Sequence, residues 1–258
     1  MAVVTSTSRR LNHPIVRSAK GLIKQLALRG GVLVRKLPQG RQGDAYADQA
    51  ALLSGRKVEH ILDVGAYVGE AALRYRRIFP EATIHCFEPV PASFEQLEAN
   101  VGGDPLIRTN NVAVGAGTEP VVMHVNRAAM TSSTLRPASE VDQYLSADYF
   151  EEVVAHEAKS TTVDRYCAEH EVDRVDILKL DIQGGELKAL QGSTEMMSRG
   201  AISLIYLELL LAPMYEGQSG VGELLSFCES KKYRVYGLYN FEYGADTRLF
   251  QVDAILNR

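Results

Sequence analysis

Four carboxylates in this 258-residue chain stand at places where an acid does chemistry rather than solvation. Asp63 closes the run His60-Ile61-Leu62-Asp63 and precedes Gly65-Ala66-Tyr67-Val68-Gly69. Glu88 follows His85-Cys86-Phe87, 23 residues after Gly65, and precedes Pro89. Asp181 ends Ile177-Leu178-Lys179-Leu180 and opens onto Gln183-Gly184-Gly185-Glu186, while Glu208 follows Tyr206-Leu207. Each acid therefore terminates an apolar run of strand length. A strand breaking at a glycine into a tight turn, then an acid at the tip of the next strand, is the spacing of a nucleotide-binding βαβ unit. The glycines admit a close backbone approach, and the second acid takes ribose hydroxyls.

The details of the first loop choose the nucleotide. A dinucleotide needs a pyrophosphate cradle, usually three glycines at a helix N-terminus. Only Gly65 and Gly69 are present here, in another spacing, and Asp63 is ill placed beside a dianion. It suits a cationic sulfonium ligand and its amino group, S-adenosylmethionine. Glu88 then accepts from both ribose hydroxyls, and Asn111, near the end of a third strand, is placed by position at the adenine.

The second pair of acids suits the transfer itself. Methyl transfer to an alcohol is an in-line displacement, so holding the acceptor oxygen about 3 Å from the methyl carbon supplies much of the rate. A base within hydrogen-bond reach adds about 10²–10⁴-fold. Asp181 is the first candidate, because ligands of open α/β sheets bind at carboxyl ends of strands. Glu208 is the second. Lys179, two residues before Asp181, shares its strand face and can pair with a carboxylate. Glu186, in the first turn of a helix, reads equally as a dipole-favoured acid. Two acids holding Mg²⁺ is a further reading, without an obvious third ligand.

The elements that must position these groups follow from periodicity. Strands are expected at 60–64, 83–87 and 105–109, with helices at 69–78 and 91–101 between them. A short hairpin is expected over Ala113 to Val125, turning at Gly115-Ala116-Gly117. Residues 126–160 show no clear pattern, with Ala128 to Arg136 expected as a loop over the ligand face. A helix from Thr162 to His170, a buried strand at 177–181, a helix from Gly185, a strand at 202–207 and a helix at 221–231 complete the alternation. Strands at 234–238 and 250–256 have no helix between them and should pair antiparallel at an edge. The expected fold is α/β: a doubly wound, seven-stranded, mostly parallel sheet, preceded by a helical extension. Residues 1–43 form a basic arm and helix, and 44–258 the catalytic domain.

Taken together, Asp63-Val64-Gly65-Ala66 with Gly69, Phe87-Glu88-Pro89 with Pro91, Leu97 with Asn100, Asn111-Val112-Ala113-Val114-Gly115, Ser132-Ser133, and the run from Ile177 through Lys179, Asp181, Gln183 and Gly184 to Glu186 resemble the FkbM family of methyltransferases. The similarity covers roughly residues 58–255. It implies a class I, S-adenosylmethionine-dependent fold and methylation of hydroxyl groups on sugars, glycans or polyketides. On it, Asp63, Gly65, Ala66, Tyr67, Gly69, Glu88, Pro89, Asn111 and Ala113 are cofactor-binding candidates. Asp181, Glu208 and Lys179 are the catalytic candidates, and Ser132, Ser133, Gln183 and Glu186 the substrate-binding ones. No metal site is expected.

Composition narrows the setting. The three cysteines are far apart, giving no disulfide or zinc framework and suggesting a reducing compartment, hence the cytoplasm. No apolar run approaches the roughly 18 residues that span a bilayer. Residues 1–43 hold nine Lys/Arg and no acid, while the remainder holds 19 basic and 32 acidic residues. From Pro14 the positions Ile15, Ala19, Leu22, Ile23 and Leu26 recur at helical spacing, so residues 9–41 could meet an anionic membrane surface. Packing on the domain or on a second copy is the plainer reading. Nothing supports nucleic acid as a partner. Two other readings stay open: a nicotinamide-dependent oxidoreductase on the same fold, and a non-catalytic, membrane-associated binding module.

Overall fold

Strand β1 (His60–Val64) is buried on both faces, as a central strand of a parallel sheet must be. Its alternate residues feed two separate cores. Ile61 joins Ile84, Cys86, Ile177 and Leu204 on one face, and Leu62 and Val64 join Phe87, Leu178 and Leu180 on the other. Around β1 run four parallel neighbours: β2 (Thr83–Phe87) and β3 (Ile107–Asn110) to one side, β8 (Val175–Leu180) and β9 (Ile202–Leu210) to the other. Strands β10 (Arg234–Tyr243) and β11 (Leu249–Asn257) complete the sheet in the order β10-β11-β9-β8-β1-β2-β3, and β11 is antiparallel to both its neighbours. The chain proceeds outward from β1 in one direction and from β8 in the other. Their carboxyl ends therefore form the crevice at which ligands bind in such sheets.

The computed structural model describes residues 43–244 and 247–258. The basic arm, residues 9–41, and the helix expected from Pro14 lie outside the described residues. Helices α1 (Ala45–Leu52), α2 (Glu70–Ile78) and α3 (Pro91–Val101) cover one face of the sheet. The other face carries α4 (Val163–Glu169), α5 (Glu186–Gln191), α6 (Thr194–Ser198) and α7 (Val221–Ser230). The Asp44 carboxylate caps α1 by accepting from the Tyr46 and Ala47 amides, and the Thr162 hydroxyl caps α4 by accepting from Arg165. Among the described residues no helix is long and apolar enough to cross a membrane. Cys86, Cys167 and Cys228 are buried and free.

The hairpin expected over Ala113 to Val125 does not form. Instead β4 (Ala113–Val114) pairs parallel with β7 (Ser160–Thr161), and β5 (Val121–Asn126) pairs antiparallel with β6 (Glu152–Ala158). Strand β4 is too short to support a hairpin, and its partners arrive some 40 residues later in the chain. Between β5 and β6 lies a cap of three 3₁₀ turns, Ala129–Thr131, Val141–Gln143 and Ala147–Phe150. Val141 and Phe150 anchor it by packing with Leu210, Met214 and Phe250 at the ends of β9 and β11.

Candidate active site

A cavity of about 1030 Å³ opens over the carboxyl ends of β1, β2, β8 and β9, under the cap. Gly65, Ala66, Tyr67, Glu88, Pro89 and Ala113 line one part of it; Lys179, Asp181, Gln183 and Glu208 line another, with Ser132 on the cap side. Gly65 has φ +76°, and a side chain on it would fall on the Asp181 carbonyl oxygen. Its glycine therefore serves the contact between two strand tips. The amides of Gly65 and Ala66 both donate to Phe87 O at 3.0 Å, and Asp181 N donates to Val64 O at 3.1 Å. Three strand ends are locked into one rim.

Glu88 is buried, and backbone amides fix both its oxygens: Tyr67 N donates to Oε2 and Val90 N to Oε1, each at 2.9 Å. Tyr67 reaches this position with φ +48°. Burial raises the Glu88 carboxyl to about 7, against the lowering pull of the two amides. The oriented carboxylate borders the cavity beside Val112 and Ala113, an apolar wall. Adenosine needs such a combination, hydroxyl acceptors next to a flat apolar surface, and the volume exceeds what one small-molecule ligand requires. The residues present fit S-adenosylmethionine plus part of an acceptor.

Asp63 departs from expectation. It is fully buried, does not line the cavity, and pairs with Lys179, whose Nζ lies 3.1 Å from Asp63 Oδ1. The cause is register. Asp63 sits opposite Lys179 in the β1–β8 ladder, on the strand face of Ile61 and Ile177 that packs against the α1–α3 layer. Burial pushes the Asp63 carboxyl up, with Lys179 pulling it back. For Lys179 burial alone would lower the ammonium, but Asp63 and Asp181 more than reverse this and raise it. The same Nζ reaches Asp181 Oδ2 and Gly65 O at 3.4 Å, so the lysine spans from the buried acid to the cavity.

Asp181 has 43% of its side chain exposed, at the tip of β8. Gln183, at φ +55°, donates through Nε2 to Asp181 Oδ1 at 3.3 Å and to Glu208 Oε2 at 2.9 Å, and its Oε1 accepts from the Tyr215 hydroxyl at 2.7 Å. Glu208 also accepts from Gln251 Nε2 at 2.5 Å. Burial, then the neighbouring Asp181, Glu186 and Asp253, push Glu208 well above the usual carboxylate range.

Four further candidates do not line the cavity. Asn111 does not line the cavity; it donates to Glu88 O at 2.8 Å and so braces the loop that carries the acid. Gly69 starts α2 at φ +94°, and a side chain there would press on Leu97 and Val101 at 3.0 Å, so it serves helix packing. Ser133 is buried and donates to Gln183 O at 2.7 Å, tying the cap to the β8 turn. Glu186 is buried below that turn and accepts from Ile182 N at 3.0 Å. Burial raises it to about 7. Of the serine pair only Ser132 reaches the cavity, and its Oγ accepts from Asn126 N at 3.1 Å.

Other lining residues had no place in the sequence reading. Tyr206 donates to Asp253 Oδ2 at 2.5 Å, and Asn240 Nδ2 reaches the same oxygen at 2.6 Å. Tyr46 lines the cavity from α1. A signal for Asp253 existed: it is an acid inside the apolar run Phe250 to Leu256. Among the described residues His85 is satisfied within the fold, bracketed by His60 Nδ1 at 3.1 Å and the Tyr166 hydroxyl at 2.9 Å. No group of three or more His, Cys, Asp or Glu among the described residues is arranged to hold a metal.

The chain is similar to proteins of one family. The family model "Methyltransferase FkbM domain" matches residues 63–235. The 2-O-methyltransferase NoeI of Sinorhizobium fredii is 25% identical over 177 residues, covering 66% of this chain and 71% of that protein. The methyltransferase sdnD of Sordaria araneosa is 29% identical over 164 residues, 52% of this chain and 60% of that one. Among solved structures, a Methanococcus jannaschii fibrillarin pre-rRNA processing protein aligns at a TM-score of 0.45 and 11% identity, over 83% of this chain and 74% of that one. The family match removes the oxidoreductase and non-catalytic readings: the chain belongs to the FkbM methyltransferase domain family and is an S-adenosylmethionine-dependent methyltransferase.

Proposed function

We propose that the chain methylates a hydroxyl of a sugar, glycan or polyketide-type acceptor, in a cytoplasmic setting to which its free, buried cysteines are suited. The observation that carries this reading is Asp181, a half-exposed carboxylate on the cavity wall with Lys179 on one oxygen and Gln183 on the other. Bound S-adenosylmethionine supplies a methyl group made electrophilic by its cationic sulfur. The chain's own contribution is orientation and proton handling. Glu88 takes the ribose hydroxyls, and the Val112–Ala113 wall packs on the adenine. The acceptor hydroxyl donates to Asp181, so that its oxygen is aimed and its proton has a destination as the oxygen–carbon bond forms and the carbon–sulfur bond breaks. Glu208, on the same wall and tied to Asp181 through Gln183, adds a second polar group facing the acceptor. The name of the Sinorhizobium relative, a 2-O-methyltransferase, supports oxygen as the atom methylated.

The test is Asp181→Asn, assayed with methyl-labelled cofactor against panels of glycans and polyketides. The variant should bind S-adenosylhomocysteine within about twofold of the parent and transfer methyl roughly 10²–10⁴-fold more slowly. Unchanged turnover removes Asp181 as the base. Label appearing on nitrogen or carboxylate acceptors alone removes the hydroxyl.

A further inference from the structure

Beyond the cofactor the cavity wall has two chemically different parts. At one, Asp181 and Glu208 present oxygens. At the other, the cap lines the same cavity with Leu145, Met130 and Tyr149. Met130 is 64% and Tyr149 51% exposed, so these side chains are not buried in the cap's own small core. They are neighbours, since Ala128 N donates to Tyr149 O at 3.1 Å and the Thr131 hydroxyl donates to the same oxygen at 3.0 Å. A chain of hydrogen bonds also links the cap to the acids. Thr131 O accepts from the Tyr215 hydroxyl at 2.8 Å, and that hydroxyl touches Gln183, which bridges Asp181 and Glu208. Single exposed apolar residues are ordinary, but a contiguous pair on the lip of a ligand cavity marks a contact surface.

We propose that the acceptor is an amphiphile: a hydroxyl-bearing head enters toward Asp181 and Glu208, and an alkyl or other apolar substituent on that head lies across Met130 and Tyr149. The proposal rests on the hydroxyl reading above and adds the chemistry of the rest of the acceptor. A bare polyol would leave the cap's apolar lip wet in the complex, whereas an apolar substituent covers it, and burying only two or three methylenes strengthens binding about tenfold or more.

The experiment measures binding rather than turnover. Methyl and octyl β-D-glucoside, both monomeric, are titrated by calorimetry into the protein saturated with S-adenosylhomocysteine. The octyl compound should bind at least tenfold more tightly. In Met130→Ser/Tyr149→Ser, whose thermal midpoint should be unchanged because both side chains are exposed, the advantage should fall to about twofold. Equal affinities in the parent, no octyl binding up to the micelle concentration, or an advantage kept in the double variant each overturn the proposal. None of these outcomes bears on Asp181, whose role is read from label transfer, so the two claims fail separately.

Discussion

A carboxylate with a raised pKa is a binding group whose strength depends on pH, and Glu88 is one. In the proposed complex ribose hydroxyls donate to it, so binding favours the ionised form, while burial in the free protein holds the group at about 7. Affinity for S-adenosylhomocysteine should therefore be level above about pH 8 and fall toward tenfold per unit as the pH drops below about 7. Glu88→Gln should bind several-fold more weakly at pH 8 and lose most of this dependence. Calorimetry between pH 5.5 and 8.5 checks it, and a flat profile in the parent would show that the hydroxyls do not meet this side chain. Residue types and spacing pointed to Glu88 and Asp181, and both line the cavity. The same signals misplaced Asp63, because whether an acid at a strand end reaches the ligand depends on which face it takes and what crosses over it. Register puts Asp63 on the face of Lys179, whose longer side chain reaches the cavity in its place. A buried pair of this kind contributes little net stability, but loss of either partner would strand a charge.

At the scale of elements, the rim depends on how closely β1 and β8 end together. Gly65 at φ +76° lies against the backbone of Asp181, whereas Gly69 at φ +94° meets only the flexible ends of Leu97 and Val101. Both positions disfavour a side chain by conformation, but only the first has immovable backbone opposite. Gly65→Ala should thus cost about 2 kcal/mol or more, and lower turnover by displacing Asp181. Gly69→Ala should cost about 1 kcal/mol with cofactor affinity largely kept. Urea unfolding and turnover of the two variants distinguish them; equal losses in both would mean that the strand-tip contact is not the constraint. The buried elements were legible in the sequence because their periodicity is imposed by two cores. Strands β1 and β2 have the expected bounds, as does α3. Strand β6 was not legible, since most of its residues are exposed and carry no alternation, and β4 and β7 are two residues each, too short for any pattern. The cap fell in the same gap, so Tyr149 could not be assigned to the cavity from spacing.

The whole molecule carries the consequence of burying acids at the cavity and beneath its rim. Glu88 and Glu186 are each raised by burial from 4.5 to about 7. A carboxyl whose folded pKa lies above its unfolded value contributes stability that is complete below about 4.5 and lost as the pH rises through about 7, here up to roughly 3 kcal/mol for each group. The buried histidine His85 works the other way: burial lowers it to about 3, so protonation of the unfolded chain below about 6.5 favours unfolding there. Two acids outweigh one histidine, and ligand-free protein should melt several degrees higher at pH 5.5 than at pH 8. Glu186→Gln should shrink this difference, because one of the two ionisations is gone. S-adenosylhomocysteine should shrink it from the other end by binding the ionised Glu88 and raising the midpoint more at pH 8 than at pH 5.5. Thermal unfolding at the two pH values, with and without ligand, separates these effects. A parent protein that melts at equal or higher temperature at pH 8 would mean that the two carboxyls ionise without penalty in the folded state. The cavity would then not have the desolvated, acid-bearing surroundings that the proposed methyl transfer requires.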